Sequence, residues 1–270
     1  MKFDLISDIH IDFYVNICKP EYKMRRRISE FVTSILPDVP SDTLAICGDI
    51  GHYNSQNVML LEELRKHYQN IVLVFGNHDL YLVSNNARGK YRRNSLLRLE
   101  EMKVLASAIE GVYILDGNVV ELDGIKFGGC IMWYDFSYVV QELGLKIENA
   151  KYCWRTESND SRLIAGFPLN VTEMFEKEKS KFDNILCNSD VILTHVGGEW
   201  SHCDPRFKTE LSTSLYYFDG KPWMNKLKGK IWCFGHDHYR RDYTLNDCRY
   251  VNGALGYPDE NNGCKIVTVT

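Results

Sequence analysis

Five short blocks of potential metal ligands punctuate this chain, each directly behind a short apolar run: Ser7-Asp8-Ile9-His10, Gly48-Asp49, Gly76-Asn77-His78-Asp79, Thr194-His195 and Gly235-His236-Asp237-His238. The apolar runs read as buried strands, which puts all five blocks at strand ends. In open α/β sheets, ligands bind outside the carboxyl ends of the strands. A fold that gathers those ends on one rim would bring Asp8 and His238 together despite their separation in sequence.

The order of elements supports such a fold. Lys2–Ser7, Thr43–Cys47 and Ile71–Phe75 read as strands. Helical patterns cover Met24–Leu36, which Pro37 and Pro40 end, then Ser55 to about Gln69, and Ser95–Ile109; Ser55 and Ser95 are the expected N-caps. Strand–helix alternation implies parallel strands joined by right-handed crossovers. Val112–Leu115, Val119–Leu122 and Ile125–Cys130 then form short strands. Asp116-Gly117-Asn118 and Asp123-Gly124 between them are hairpin signals. Val191–Thr194, Ile231–Phe234, Tyr239–Leu245, Arg249–Asn252 and Lys265–Thr270 complete the strands. The expected architecture is one mixed α/β domain over residues 1–270, with two packed sheets flanked by helices. Residues 134–185, with a helix around Val171–Phe182, are the candidate for a helical cap over the site.

Composition narrows the classes of function. The 270 residues carry a net charge of -4 with acids and bases interspersed. That argues against a nucleic-acid coat or a membrane-surface protein, though not against a local basic patch. The nine cysteines (Cys18, Cys47, Cys130, Cys153, Cys187, Cys203, Cys233, Cys248 and Cys264) form no CxxC pair, and an odd, scattered set suggests reduced thiols and a cytosolic home. Lys2-Phe3-Asp4-Leu5-Ile6 lacks signal-peptide character, and no run approaches transmembrane length. The sequons at Asn159 and Asn170 read as chance matches without a secretion signal.

Each block has its own chemistry. Asp8 and His10 are two apart on an extended segment, so both point the same way; an oxygen and an imidazole nitrogen suit Zn, Mn or Fe. Asp49 can bridge two cations, one on each carboxylate oxygen; in isolation it reads as a turn or capping aspartate. The Asn77 amide oxygen is a neutral, hard ligand. His78, beside it, lies near the site without being a ligand, and in protonated form can hand a proton to a leaving oxygen. Asp79 can hold that imidazole and raise its pKa. His236 and His238 form a second same-facing pair, and Asp237 between them points away. Two close cations activate water and stabilise the charge of phosphoester cleavage.

Taken together, Asp8-x-His10, Gly48-Asp49, Gly76-Asn77-His78-Asp79, His195 and Gly235-His236-x-His238 resemble the calcineurin-like metallophosphoesterase superfamily, from residue 4 to about 240. The tail Val251-Asn252-Gly253-Ala254-Leu255-Gly256-Tyr257-Pro258 and the run Gly124–Cys130 leading into Trp133 are similar to a branch found in microbes and their phages. The resemblance implies a four-layer α/β/β/α sandwich with a dinuclear site on one rim. It implies one metal on Asp8, His10, Asp49 and His238 and a second on Asp49, Asn77, His195 and His236. A bridging water or hydroxide would be the nucleophile, His78 the general acid and Asp79 its partner. The metal pair stays open among Mn, Fe and Zn, with Mn favoured. Protein phosphatases of the superfamily carry Gly-Asp-x-x-Asp-Arg-Gly, where this chain has Gly48-Asp49-Ile50-Gly51-His52-Tyr53. They also carry Gly-Asn-His-Glu, where this chain ends in Asp79.

Substrate choice is less constrained. Arg88, Lys90, Arg92, Arg93 and Arg98, with Tyr81 and Tyr91 interleaved, follow the third block. Arg88, Arg92, Arg93 and His52 are candidates to grip phosphate oxygens, against the plainer reading of a solvated face. Arg240 and Arg241 are either phosphate clamps or, as favoured here, exposed strand charges. Trp133, Trp154, Trp200, Trp223, Tyr134, Tyr216 and Tyr217 either pack the core or stack on a nucleoside. The expected activity is hydrolysis of a phosphodiester, a nucleotide or short nucleic acid. The rivals are a phosphomonoesterase on nucleotides or phosphoproteins, and a non-catalytic interaction scaffold. Oligomeric state is open.

Overall fold

A computed structural model of the chain describes residues 1–166, 170–260 and 265–270. The first sheet has the strands β1 (Phe3–Ile6), β2 (Thr43–Cys47), β3 (Asn70–Val74) and β4 (Val112–Ile114) side by side and parallel. The second begins with the antiparallel hairpin of β5 (Asn118–Leu122) and β6 (Ile125–Gly129). It continues in parallel through β7 (Val191–Leu193) and β8 (Ile231–Phe234) to β10 (Cys248–Asn252), with β9 (Arg241–Leu245) antiparallel on its edge. The closing strand β11 (Val267–Val269) returns to the first sheet, antiparallel to β1.

Alternation along these strands sorts side chains into layers. Phe3, Leu5, Ala45, Cys47, Val72 and Val74 face Phe127, Val191, Leu193, Cys233 and Val251 between the sheets, all fully or almost fully buried. Phe3 and Phe127 meet edge-to-face with centroids 5.4 Å apart. Each such side chain contributes ~1.5–3 kcal/mol on leaving water. Ile6, Leu44, Ile46, Ile71 and Leu73 face the other way, toward the crossover helices. Those helices are α1 (Ile11–Tyr14) and α2 (Glu21–Ile35) after β1, α3 (Asn54–Leu64) after β2, and α4 (Asn85–Lys90) and α5 (Ser95–Ser107) after β3. Between β6 and β7 come α6 (Ser137–Gln141), α7 (Ile147–Glu157), α8 (Asp160–Leu163) and α9 (Val171–Leu186); α10 (Met224–Leu227) precedes β8. Helix α9 packs on β5 and β6 and forms the fourth layer.

Several expectations change. Asp116-Gly117-Asn118 makes no hairpin, because β4 and β5 lie in different sheets; these residues carry the chain across the sandwich. Helix α3 begins at Asn54 without a side-chain cap and ends at Leu64, since the turn at Arg65–His67 breaks the helical path toward Gln69. Helix α5 is capped by Asn94, whose side chain accepts from the Leu96 amide, leaving Ser95 inside. Of residues 134–185, only the part up to α8 approaches the strand-end rim, since α9 is taken up by the sandwich. Cys47 and Cys233 fill the inter-sheet core as small apolar groups, and the eight described cysteines are free thiols; Cys264 lies outside the described residues. Among the described residues no helix is long and apolar enough to cross a membrane.

Candidate metal centre

The loops leaving β1, β2, β3, β7 and β8 meet on one rim because backbone hydrogen bonds join neighbouring strand ends. The Asp8 amide donates to Gly48, His10 to Asp49, Thr194 to Cys233 and Gly235 to His195, at 2.9–3.0 Å. The turns are sharp. Asp8, His10, Asp49, His236 and His238 all take φ between +44° and +73°, a left-handed region that β-carbons disfavour. Gly76 leaves room for them: a β-carbon there would stand 2.2 Å from Asp49 Oδ1.

All seven residues expected as ligands converge. Asp8, His10 and His238 form one group, Asp49, His195 and His236 another, and His10, Asp49 and His78 a third that overlaps both, with the candidate ligand atoms of each within 4.8 Å of one another. Asp49 joins them through a single oxygen. Its Oδ1 accepts the His78 amide at 2.9 Å, whereas Oδ2 lies 3.8 Å from His10 Nε2 and 3.3 Å from His195 Nε2. Oδ2 is therefore the oxygen turned toward both groups, and Oδ1 the one turned toward the His78 amide.

Hydrogen bonds on the far side of the His195, His236 and His238 rings decide which nitrogen faces the site, whereas His10 Nδ1 has no hydrogen-bond partner among the described residues. His195 Nδ1 donates to the Cys47 carbonyl at 2.9 Å, so Nε2 is the nitrogen turned toward the site. His236 Nε2 donates to the Leu215 carbonyl at 2.9 Å, leaving Nδ1 free. His238 Nδ1 donates to Glu260 at 2.7 Å, leaving Nε2 beside Asp8 Oδ1 at 3.4 Å. The Asn77 amide is oriented equally firmly. Its Nδ2 donates to Asp160 Oδ1 at 2.8 Å and to the Tyr81 hydroxyl at 3.0 Å, so Oδ1 faces His195 Nε2 at 2.9 Å. Two acceptors that close need a cation or a proton between them. His10 Nε2 and His238 Nε2, 3.1 Å apart, pose the same requirement. Zn–N bonds of about 2.0–2.1 Å in a tetrahedral site put two ligand nitrogens about 3.3 Å apart, near the spacing seen here. The donor set therefore fits two divalent cations sharing Asp49, of the Mn, Fe or Zn kind.

The ionisable groups are strongly perturbed. Burial lowers the His195 pKa, but Asp49 and Asp8 outweigh it and raise it to about 9. At His238 burial is likewise outweighed by Asp8 and Glu260, giving about 10. Burial holds His10 down at about 4. Asp49 lies well below the carboxylate range: burial opposes ionisation, and the surrounding imidazoles overcome it.

His78 is held differently from expectation. Asp79 does not grip its ring: Asp79 Oδ2 accepts the backbone amides of Gly76 at 2.8 Å and Asp49 at 3.1 Å, fixing the β2 and β3 turns against each other. Burial, then Asp49, push the Asp79 pKa to about 6. The His78 imidazole instead leans on His52, Nδ1 to Nε2 at 2.9 Å, and His52 Nδ1 reaches Asp12 at 2.7 Å. The expected rise in the His78 pKa is reversed. Burial drives it well below the ordinary histidine value, against the pull of Asp49.

A cavity of about 510 Å³ opens over the centre. Arg88, Arg92 and Arg93 do not line it; they are exposed on and after α4. Arg98 is buried, and its guanidinium donates to the carbonyls of His78, Tyr81 and Gly51, bracing the site from behind. Arg241 is no exposed strand charge either: its side chain is 7% exposed and pairs with Asp237. Trp133, Trp200 and Trp223 are buried, and Tyr134 and Tyr217 spend their hydroxyls on Asp160 and Asp237. Of that aromatic set Tyr216 and Tyr217 line the cavity, Tyr216 being 37% exposed and Tyr217 buried. Three residues around the site went unforeseen: Asp160, Asp12 and Glu260. None sits in a motif block. Tyr257 stacks on His10 at 4.7 Å, so the Gly-Tyr-Pro turn was the available signal at that corner.

The sandwich and the rim of shared carboxylate and imidazole groups define a metal-dependent phosphoric ester hydrolase. The family model of the calcineurin-like phosphoesterases (Metallophos) matches residues 1–240, and the chain belongs to that family, whose members use divalent metal ions. It is 24% identical over 234 residues to uncharacterized protein L509 of Acanthamoeba polyphaga mimivirus, covering 81% of this chain and 80% of that protein. It is 20% identical over 240 residues to the [acyl-carrier-protein] phosphodiesterase PptH of Mycobacterium tuberculosis, covering 84% and 72%. The crystal structure of that phosphopantetheinyl hydrolase superposes with a TM-score of 0.70 at 17% identity, over 98% of this chain and 95% of the other, showing the same fold.

Proposed function

We propose that this chain hydrolyses a phosphodiester at a dinuclear manganese centre, with a nucleotide or short nucleic acid as the substrate class. The observation that carries the reading is Asp49 Oδ2, placed between two sets of inward-facing imidazole nitrogens. Asp8, His10, Asp49 and His238 would hold one cation, and Asp49, Asn77, His195 and His236 the other. When bound, the pair supplies an activated water and offsets charge on the phosphoryl oxygens. A relative named as a phosphodiesterase supports the ester type. Tyr216 and Tyr257, both facing the cavity, support a base or another flat group beyond the phosphate.

His78 is the residue placed to handle the proton. With Nδ1 tied to His52, its Nε2 looks toward the centre, 4.0 Å from Asp49 Oδ2. One extra proton on the chain Asp12, His52, His78 leaves through His78 Nε2 to the departing oxygen, as His52 Nε2 passes its own to His78 Nδ1. Asp12 stays charged throughout and stabilises the protonated chain. Asp79 contributes by fixing the backbone of the site rather than by touching His78.

The test is hydrolysis of bis-p-nitrophenyl phosphate by EDTA-stripped protein with and without manganese, beside Asp49→Ala. Manganese-dependent turnover that the variant loses is expected. Faster hydrolysis of the mono- than of the bis-ester would replace the reading with a phosphomonoesterase. Absence of bound metal would favour an interaction scaffold.

A further inference from the structure

Resting on the phosphodiesterase reading, we propose that the cavity selects a lone phosphodiester between two uncharged groups and rejects substrates bearing a further phosphate. None of the described residues lining it is lysine or arginine, and the residues outside the description, 167–169 and 261–264, include neither. Beyond the ligand rim the lining is acidic and aromatic. Glu157 ends α7 and is exposed, with no cation paired to its carboxylate among the described residues. Glu260 stands beside His238, and Asp160 is neutralised only by hydroxyl and amide donors. Two guanidinium groups close by are already occupied: Arg162 donates to the Glu157 and Ser158 carbonyls, and Arg206 to the Asp204 carboxylate.

Bound cations would give the reacting phosphate its counter-charge, and no lysine or arginine among the described lining residues offers another. A second phosphate one ester unit away would meet Glu157 or Glu260 instead. Between like charges a few ångströms apart the repulsion is modest near solvent and screened by salt. The walls do favour another kind of group. Tyr216, Tyr257 and Phe207 bring flat aromatic rings to the lining, and Ser158 and Ser212 bring hydroxyls. The preferred ester groups are therefore uncharged, with an apolar or aromatic face and hydroxyl or amide functions. Within the proposed substrate class, a dinucleoside monophosphate meets that description and a longer strand does not.

The experiment compares kcat/KM of the manganese-loaded full chain on a dinucleoside monophosphate and on the same compound with a 5′-terminal phosphate, with bis-p-nitrophenyl phosphate alongside. We expect the uncharged-ended diester to be preferred by about tenfold at low ionic strength, less as salt is added. Glu157→Lys should narrow the preference; a lysine at the end of a helix is tolerated. Equal rates, a preference for the phosphorylated compound, or a ratio untouched by Glu157→Lys would overturn the inference while bis-p-nitrophenyl phosphate turnover keeps the phosphodiesterase reading. No turnover of any diester with two manganese ions bound would overturn that reading and this inference with it.

Discussion

The side-chain amide of Asn77 donates to the carboxylate of Asp160 at 2.8 Å, and this bond decides which end of the amide faces the metal rim. Asp160 comes from a different part of the fold, at the start of α8. It is buried and also receives the hydroxyls of Tyr81 at 2.6 Å and Tyr134 at 2.7 Å. Outer partners of metal ligands usually matter for affinity by 10–100-fold.

Asp160→Ala should therefore free the Asn77 amide to turn and weaken the second cation by about tenfold or more, with the first retained. Asn77→Ala should do the same directly. Manganese titration with elemental analysis of the bound ions checks both. Equal loss of both ions in either variant would contradict the placement of Asn77 on one side of the site.

His78→Ala should keep both cations and lose most turnover, by about 10²–10⁴-fold in kcat. His52→Ala should lower kcat in the same direction by less, because His78 remains but loses its hold. KM and metal content should move little in either. Loss of metal from His78→Ala would reassign that residue as a ligand.

Metal binding should release protons. His195 and His238 hold theirs up to about 9 and about 10, since Asp49 and Asp8 outweigh the burial that works against them. Each cation needs one of these nitrogens bare, so at neutral pH loading both cations expels about two protons, and affinity rises with pH until those values are passed. Calorimetry in buffers of different ionisation enthalpy measures the release. Heats independent of buffer at neutral pH would show that the two rings are already neutral.

Away from the site, Asp4 is a buried carboxylate that accepts from the Ser41 amide and hydroxyl, the Tyr68 hydroxyl at 3.0 Å and the Thr268 hydroxyl. It ties β1 to the segment before β2, to the end of the α3 crossover and to β11. Tyr68→Phe should cost ~1.5–3 kcal/mol, the range for a hydrogen bond to a charged group. Urea unfolding at fixed manganese concentration measures this, and turnover should be retained.

The metal rim was legible in the sequence because each ligand block directly follows an apolar strand. Parallel strands then carry Asp8, Asp49, Asn77, His195, His236 and His238 to one edge without further information. The supporting groups were not legible. Asp160 meets Asn77 only because α8 packs back over the rim, and no motif marks it. His52 displaced Asp79 as the partner of His78 because the Asp79 side chain is taken up by the amides of Gly76 and Asp49. Asp116-Gly117 looked like a hairpin because local turn chemistry is the same whether the chain returns to its own sheet or passes to the next.

The left-handed backbone at Asp8, His10, Asp49, His236 and His238 has an evolutionary consequence. Each non-glycine residue held there costs of order 1–3 kcal/mol, which glycine relieves at once and asparagine in part. At His10, His236 and His238 a glycine would relieve that strain while removing a candidate ligand. At Asp8 and Asp49 the relief is offset, because their carboxylates accept the buried amides of His236 and His78. In a lineage where the reaction ceased to matter, the three histidines would therefore drift before the two aspartates.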